Sequence, residues 1–368
     1  MLQGTDVFII GGGPAGLAAA IAARERGFDV VVADGAEPPI DKACGEGLLP
    51  DAVEVLARLG IEIPSSDRFA LQGIRFLDAE LTVDAHFPAG QGIGVRRAVL
   101  HERMVERARK VGVTLLWKTP VSGISPAGVI TERQTVAARW IIGADGIRSR
   151  VRRWAGLESF RQNQSRFGFR RHYSVQPWSN CTELYWGRNA QAYVTPVGTN
   201  EVCVVLISRD VHARFASIGS EFPTLAERFA SAALTSSERG AVTVSRSLER
   251  VYRGSIALIG DASGSVDAVT GEGLSLGFHQ ALALADALEA EDLGSYQAAH
   301  RRLTRRPALM GRLLLLLDSQ PKLRSRAMRA LAAHPNLFAR LVAVHIGKTS
   351  PGHLASTGAL LGWRFVTA

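Results

Sequence analysis

Apolar positions along this chain fall into two alternating periods. Val7-Phe8-Ile9-Ile10 is a short uninterrupted apolar run, which predicts a strand buried on both faces. After Gly11-Gly12-Gly13-Pro14-Ala15-Gly16, residues 17–26 take up helical spacing, and Asp29-Val30-Val31-Val32-Ala33 reads as a second strand. Two more apolar runs, Trp140-Ile141-Ile142-Gly143 and Ser255-Ile256-Ala257-Leu258-Ile259, each end close to a carboxylate, Asp145 and Asp261. Residues 276–288 return to helical spacing.

Between these runs the pattern changes. Arg166 to Tyr173, Thr182 to Trp186, Ala192 to Gly198 and Val202 to Leu206 read as strands of a second sheet, with residues 69–87 adding to it. Residues 212–240 predict a helical connection, and 297–345 two or three helices interrupted near Pro307, Pro321 and Pro335. The predicted fold is α/β: a Rossmann-like cofactor domain interleaved with a mixed β-sheet substrate domain, followed by C-terminal helices. The first is assembled from 1–70, 96–155 and 250–300, the second from 71–95 and 156–249, and 301–368 form the basic amphipathic helices.

Composition sharpens this picture in two places. Three cysteines, Cys44, Cys181 and Cys203, stand at unrelated spacings, which points to neither a disulfide framework nor a zinc site and implies a reducing cytoplasm. No basic and apolar leader opens the chain, and no run of about 18 apolar residues spans a bilayer. The net charge of +9 is concentrated at the end: from 301 onward 12 Lys and Arg face Asp318 alone. These cations alternate with leucines at helical spacing. That favours packing against the body and peripheral contact with an anionic inner-membrane surface, and speaks against nucleic acid.

The glycine turn carries the first chemistry. Gly11, Gly13 and Gly16 allow a tight bend, close approach of backbone to a pyrophosphate and close packing of helix on strand, with Pro14 and Ala15 opening the helix. The helix N-terminus then faces phosphate charge. Asp34, at the end of the second strand, is placed to bind ribose hydroxyls, and an acid there argues against a 2′-phosphate. The first ligand is therefore a dinucleotide.

The order and separation of the glycine turn, the Asp145 turn (Gly143-Ala144-Asp145-Gly146) and the Asp261 strand end resemble the FAD-dependent flavoprotein monooxygenase (aromatic hydroxylase) and geranylgeranyl reductase superfamily over most of the chain. The resemblance implies FAD. It places Asp261 at the ribityl chain, Asp145 near the pyrophosphate, Arg97 at the phosphates with Arg96 turned to solvent, and the Val121 backbone at the adenine. The glycine loop Gly271-Glu272-Gly273-Leu274 would pass under the flavin ring, with Gly271, Gly273 and Leu274 in contact. The loop Asp41-Lys42-Ala43-Cys44-Gly45-Glu46-Gly47-Leu48 would bring Lys42, Gly45 and Cys44 to the isoalloxazine.

Two outcomes follow from that resemblance. In the favoured one, NADH or NADPH reduces the flavin transiently, and a C4a-hydroperoxyflavin hydroxylates a hydrophobic aromatic or polyketide-type small molecule. In the alternative, the reduced flavin saturates a prenyl-type or other carbon–carbon double bond. A non-catalytic flavin-binding protein is the reading from another class. Tyr193-Val194-Thr195-Pro196-Val197-Gly198 resembles the hydroxylase branch, whereas Cys44-Gly45-Glu46-Gly47 and Thr270-Gly271-Glu272-Gly273 resemble the reductase branch. Cys44, His172 and Tyr193 are the catalytic candidates. The remaining histidines show no metal-ligand spacing, so no metal is expected.

Overall fold

The computed structural model describes residues 4–78, 81–163 and 165–348; the end of the predicted C-terminal helical segment, 349–368, lies outside the described residues. Strand Gly4–Ile10 is central. It runs parallel to Val30–Ala33 on one side, Val7 opposite Val30, and to Thr135–Gly143 on the other, Val7 opposite Trp140. Thr114–Leu116 and Ile256–Leu258 extend the parallel set, while Tyr252–Arg253 and the hairpin Val121–Ser125/Gly128–Thr131 pair antiparallel, making an eight-stranded sheet. Parallel neighbours require crossovers. The first is α1 (Pro14–Glu25), where Pro14 at the first position loses no helical hydrogen bond. Helices α2 (Pro50–Arg58) and α3 (Arg97–Lys110) lie on the route to Thr114, and α4 (Arg150–Trp154) follows the Asp145 turn.

The second sheet also has eight strands and mixed pairing. Its path runs Ala233–Leu234, Arg166–Ser174, Glu201–Ser208, Ala190–Gly198, Cys181–Trp186, Gly73–Asp78, Leu81–His86, with Arg239–Thr243 also paired to Arg166–Ser174. Only Cys181–Trp186 on Gly73–Asp78 is parallel, Leu184 opposite Phe76. One face packs Tyr173, Tyr185 and Val204 against Phe215, Phe222 and Phe229 of the α5 (Ile218–Glu221) and α6 (Pro223–Phe229) region. The predicted helical connection over 212–240 therefore stops at Phe229. Beyond it the chain returns as strands, because Arg166–Ser174 offers an open ladder that Arg239–Thr243 fills.

Four helices close the structure. Helix α7 (Gly273–Glu289) lies against α1, whose alanines let the two axes approach, so α1 is buried nearly all round between sheet and helix. Helix α8 (Leu293–Ser319) runs straight through Pro307, contrary to the break predicted there; α9 (Pro321–Ala333) and α10 (Pro335–His345) do start at prolines. A buried proline in a helix forfeits one hydrogen bond. Burial on both sides of it, Tyr296 and His300 before and Leu314 after, offsets that loss.

His300 ties α8 to the 260–263 turn, its Nε2 donating to Ser263 Oγ at 2.9 Å. Burial lowers its pKa to about 4. An unfolded imidazole takes its proton near 6.5, so between pH 6.5 and 4 the unfolded chain holds one proton more than the folded one. Stability contributed here is complete above pH 6.5 and falls as pH drops through that window, by about 3 kcal/mol. Urea melts of the wild type and His300→Phe at pH 7 and pH 4 are expected to show a smaller pH penalty in the variant by that amount.

Candidate active site

Between the two sheets lies a cavity of about 1070 Å³. One end is walled by the glycine turn, Asp34 and Arg97, and the other by Leu184, Val205 and the inner faces of α8, α9 and α10. At the turn, Gly11 has φ +116°, and a Cβ there would stand 2.4 Å from the Ala144 carbonyl oxygen; one on Gly16 would stand 2.0 Å from the oxygen of Gly11. Neither position admits a side chain. Gly13 differs: a Cβ would meet nothing within 4 Å, so its backbone lies open to the cavity.

Gly12 is held at both ends. Its N–H donates to Asp34 Oδ2 at 2.7 Å, and its carbonyl accepts from His101 Nε2 at 2.8 Å, while His101 Nδ1 accepts from the Ile40 N–H at 3.4 Å. Those partners require the neutral imidazole, and burial lowers the His101 pKa accordingly. His101 is a turn-holding residue that sequence reading passed over. Asp34 also accepts from the Ala36 N–H at 2.8 Å.

Arg97 begins α3 and lines the cavity, with its Nε buried and unpartnered among the described residues. Arg96 stays outside the cavity wall and partly exposed, and it pairs with Glu201 at 2.9 Å. Lys42 and Asp261 both line the cavity and pair with each other at 3.1 Å. Asp145 lines it too, but its carboxylate caps α4, accepting from the Arg150 and Val151 N–H groups at 2.6 and 3.1 Å and from Ser149. Val121, Pro14 and Ala15 are in the wall, as are Gly45, Gly271, Gly273 and Leu274. At those three glycines a Cβ would meet open space, and Gly271 has φ +67°.

Glu46 organises the loop that carries Cys44. It adopts φ +58° and is buried. Its Oε1 accepts from Arg170 at 2.8 Å and from the Arg97 N–H at 3.0 Å, and Oε2 meets His172 Nε2 at 2.6 Å. Burial alone would raise its pKa, yet the His172 hydrogen bond and charge, the Arg97 N–H and Arg170 together bring it below the usual range, so the group is ionised. Arg170 continues to Asp41 at 2.7 Å. Glu46, His172 and Cys203 offer ligand atoms within 4.8 Å of one another, but both Glu46 oxygens are already taken by protein donors.

This arrangement corrects one expectation. His172 does not meet a substrate: it is fully buried behind Glu46, bonded to Ser236, and outside the cavity wall. Tyr193 is in the wall, but its hydroxyl donates to the Val269 carbonyl at 2.6 Å, and burial raises its pKa. Cys44 is in the wall with Sγ accepting from the Glu46 N–H at 3.4 Å. The imidazole that does reach the cavity is His345, from α10. Its Nε2 donates to the Thr270 carbonyl at 2.9 Å, and Nδ1 faces Glu272 Oε2 at 3.4 Å. Burial raises the Glu272 pKa against the opposing charges of His345 and Arg306.

A family model described as an FAD binding domain matches residues 4–303. The chain belongs to that FAD-binding family. This flavoprotein is 29% identical over 323 residues to the menaquinone reductase of Mycolicibacterium smegmatis, across 80% of this chain and 78% of that one. It is 28% identical over 326 residues to digeranylgeranylglycerophospholipid reductase 1 of Methanothermobacter thermautotrophicus, across 82% and 81%. It shares its architecture with the flavin-dependent brominase Bmp2 at a TM-score of 0.83, over 98% of both chains at 16% identity, a likeness of fold alone.

The residues of this flavoprotein fit FAD on their own geometry. An unpartnered guanidinium nitrogen at Arg97 suits a phosphate oxygen, and the bare backbone at Gly13, Gly45, Gly271 and Gly273 leaves room for a pyrophosphate and a flat ring. Gly45 lies in the 41–48 loop, and Arg97 is tied to it through its N–H to Glu46. Glu46→Gln leaves the buried Arg170 charge only partly compensated by Asp41, and is expected to cost about 3 kcal/mol. Asp41→Asn, at the more exposed partner, is expected to cost about 1 kcal/mol. Denaturant titration of the two variants checks that order.

Proposed function

We propose that this FAD-dependent oxidoreductase reduces a carbon–carbon double bond in a long-chain, isoprenoid-type substrate, with NADH or NADPH as transient electron donor. The observation that carries this reading is the apolar far half of the cavity. Phe76, Leu184, Leu314, Leu317, Leu331 and Phe338, from two strands and three helices, form an apolar wall in the same cavity as the glycine loops. Burying an isoprene unit there contributes roughly 3 kcal/mol. The reductases of Mycolicibacterium and Methanothermobacter support the same direction. The hydroxylase expectation leaned on the 193–198 segment, yet the Tyr193 hydroxyl is spent on Val269 and His172 is sealed behind Glu46, so neither is free to activate a phenol.

Bound FAD supplies hydride chemistry, and the protein supplies position and a proton. The apolar wall aligns the chain and keeps water from the reacting carbons. Arg97, at the opposite end, would hold the phosphate charge of the cofactor. Saturating a double bond also requires a proton at the second carbon. Two side chains of the wall are placed to deliver it: Cys44, whose sulfur is positioned by the Glu46 N–H, and His345, which faces Glu272 behind the wall.

The decisive experiment is anaerobic turnover with NADH or NADPH and a polyprenyl quinone or polyprenyl lipid. A product heavier by two hydrogens is expected. Turnover that requires oxygen and adds one oxygen atom would replace this reading with hydroxylation. Leu317→Trp, which fills the apolar end, is expected to raise KM for the long-chain substrate about tenfold and to leave a short-chain analogue unaffected, as steady-state kinetics would show.

A further inference from the structure

Helix α8 has two working faces. The inner one carries Leu314 and Leu317 into the cavity and Arg306 to Glu272 at 3.3 Å. The outer one carries Arg302, Arg305, Leu309, Arg312, Leu313 and Leu316, which at 100° per residue fall within an arc of about 100°. Leu309, Leu313 and Leu316 are 60%, 39% and 47% exposed, three of the five large apolar side chains that the described residues leave in solvent. Leu313 and Leu316 also line the cavity, so this face forms its rim.

We infer that the outer face of α8 docks the protein on an anionic lipid bilayer and places the cavity mouth at the lipid surface. Leucines interleaved with arginines on one helical arc are the composition of a helix lying in a membrane interface, apolar side chains in the acyl boundary and cations among the headgroups. The charges are available: among the described residues Arg302, Arg305 and Arg312 have no carboxylate partner. The acid of this helix, Asp318, is buried against Arg166 and Arg209 and subtracts nothing from the face. No helix of the described residues is long and apolar enough to cross a membrane, so the contact is a surface one.

The composition also discriminates among partners. A second copy meeting this face across a two-fold axis would set arginine against arginine with the helices parallel, or arginine against leucine with them antiparallel, and neither gives the cations an anion. A nucleic acid would satisfy the arginines but leave the three leucines unburied, with no aromatic side chain in the arc for base stacking. An anionic bilayer satisfies both at once. The inference stands on the face alone, whatever reaction the cavity performs.

The test is flotation of the FAD-loaded, full-length protein with vesicles of phosphatidylcholine alone or with about a third phosphatidylglycerol. Binding is expected only to the anionic vesicles and is expected to fall at least tenfold at ~0.5 M salt, where surface charge is screened. Leu309→Asp, outside the cavity wall, and the triple variant R302E/R305E/R312E are each expected to lower the bound fraction at least tenfold while keeping the bound-flavin absorption spectrum. Three results would overturn the inference. The wild type could fail to float with anionic vesicles, or the folded variants could float as well as it does. Light scattering could instead reveal a dimer that Leu309→Asp dissolves.

Discussion

One strand of the second sheet governs the site through buried charge. Along Arg166–Ser174 the alternating positions Arg166, Arg170 and His172 all point inward and are all buried. Arg166 takes Asp267, in the loop that leads to the 271–273 glycines, and Gln191 at 2.8 Å. Arg170 and His172 take Glu46, in the loop that carries Cys44. Both loops that border the cavity are thus anchored to the same ladder. Their own regular structure is slight: two residues of strand at Gly47–Leu48 and a single 3-10 turn at Ala268–Thr270.

Such pairs contribute little net stability, because desolvating both partners offsets their attraction. Their value is positional. A buried cation tolerates no vacancy beside it, so any loop conformation that withdraws Glu46 or Asp267 leaves a bare charge in low dielectric. Alternative placements of the loops are penalised more strongly than apolar packing would penalise them. The two large sheets are built from alternating stretches of chain, and these pairs are the stitches that hold the loops of one against a strand of the other.

How much of this was legible follows the range of each interaction. The glycine turn, its strand and helix, and the carboxylate at Asp34 form a local unit of about thirty residues, and local spacing specifies it. The strand ends at Asp145 and Asp261 were legible as apolar runs stopped by acids. Glu46 lies within a legible motif, but nothing local marks it as the hub, because the side chains that pair with it, Arg170 and His172, lie more than a hundred residues away. The available signal was on the other side: two cations at alternate positions of an otherwise apolar strand demand an anion. His345 had no local signal, since α10 brings it across the whole fold to Thr270. Pro307 misled because local propensity marks a break where tertiary burial sustains the helix.

The clamp on Gly12 bears on the way this protein acquires its cofactor. Asp34 and His101 grip the amide and the carbonyl of one peptide residue from opposite elements, so the bend at the first helix is shaped by the protein's interior rather than by a phosphate. The entropy of setting that bend is lost while the chain folds, and little of it is left to lose when a dinucleotide arrives. Loading and unloading can then proceed against a rigid cradle, with the junction of strand and helix intact throughout.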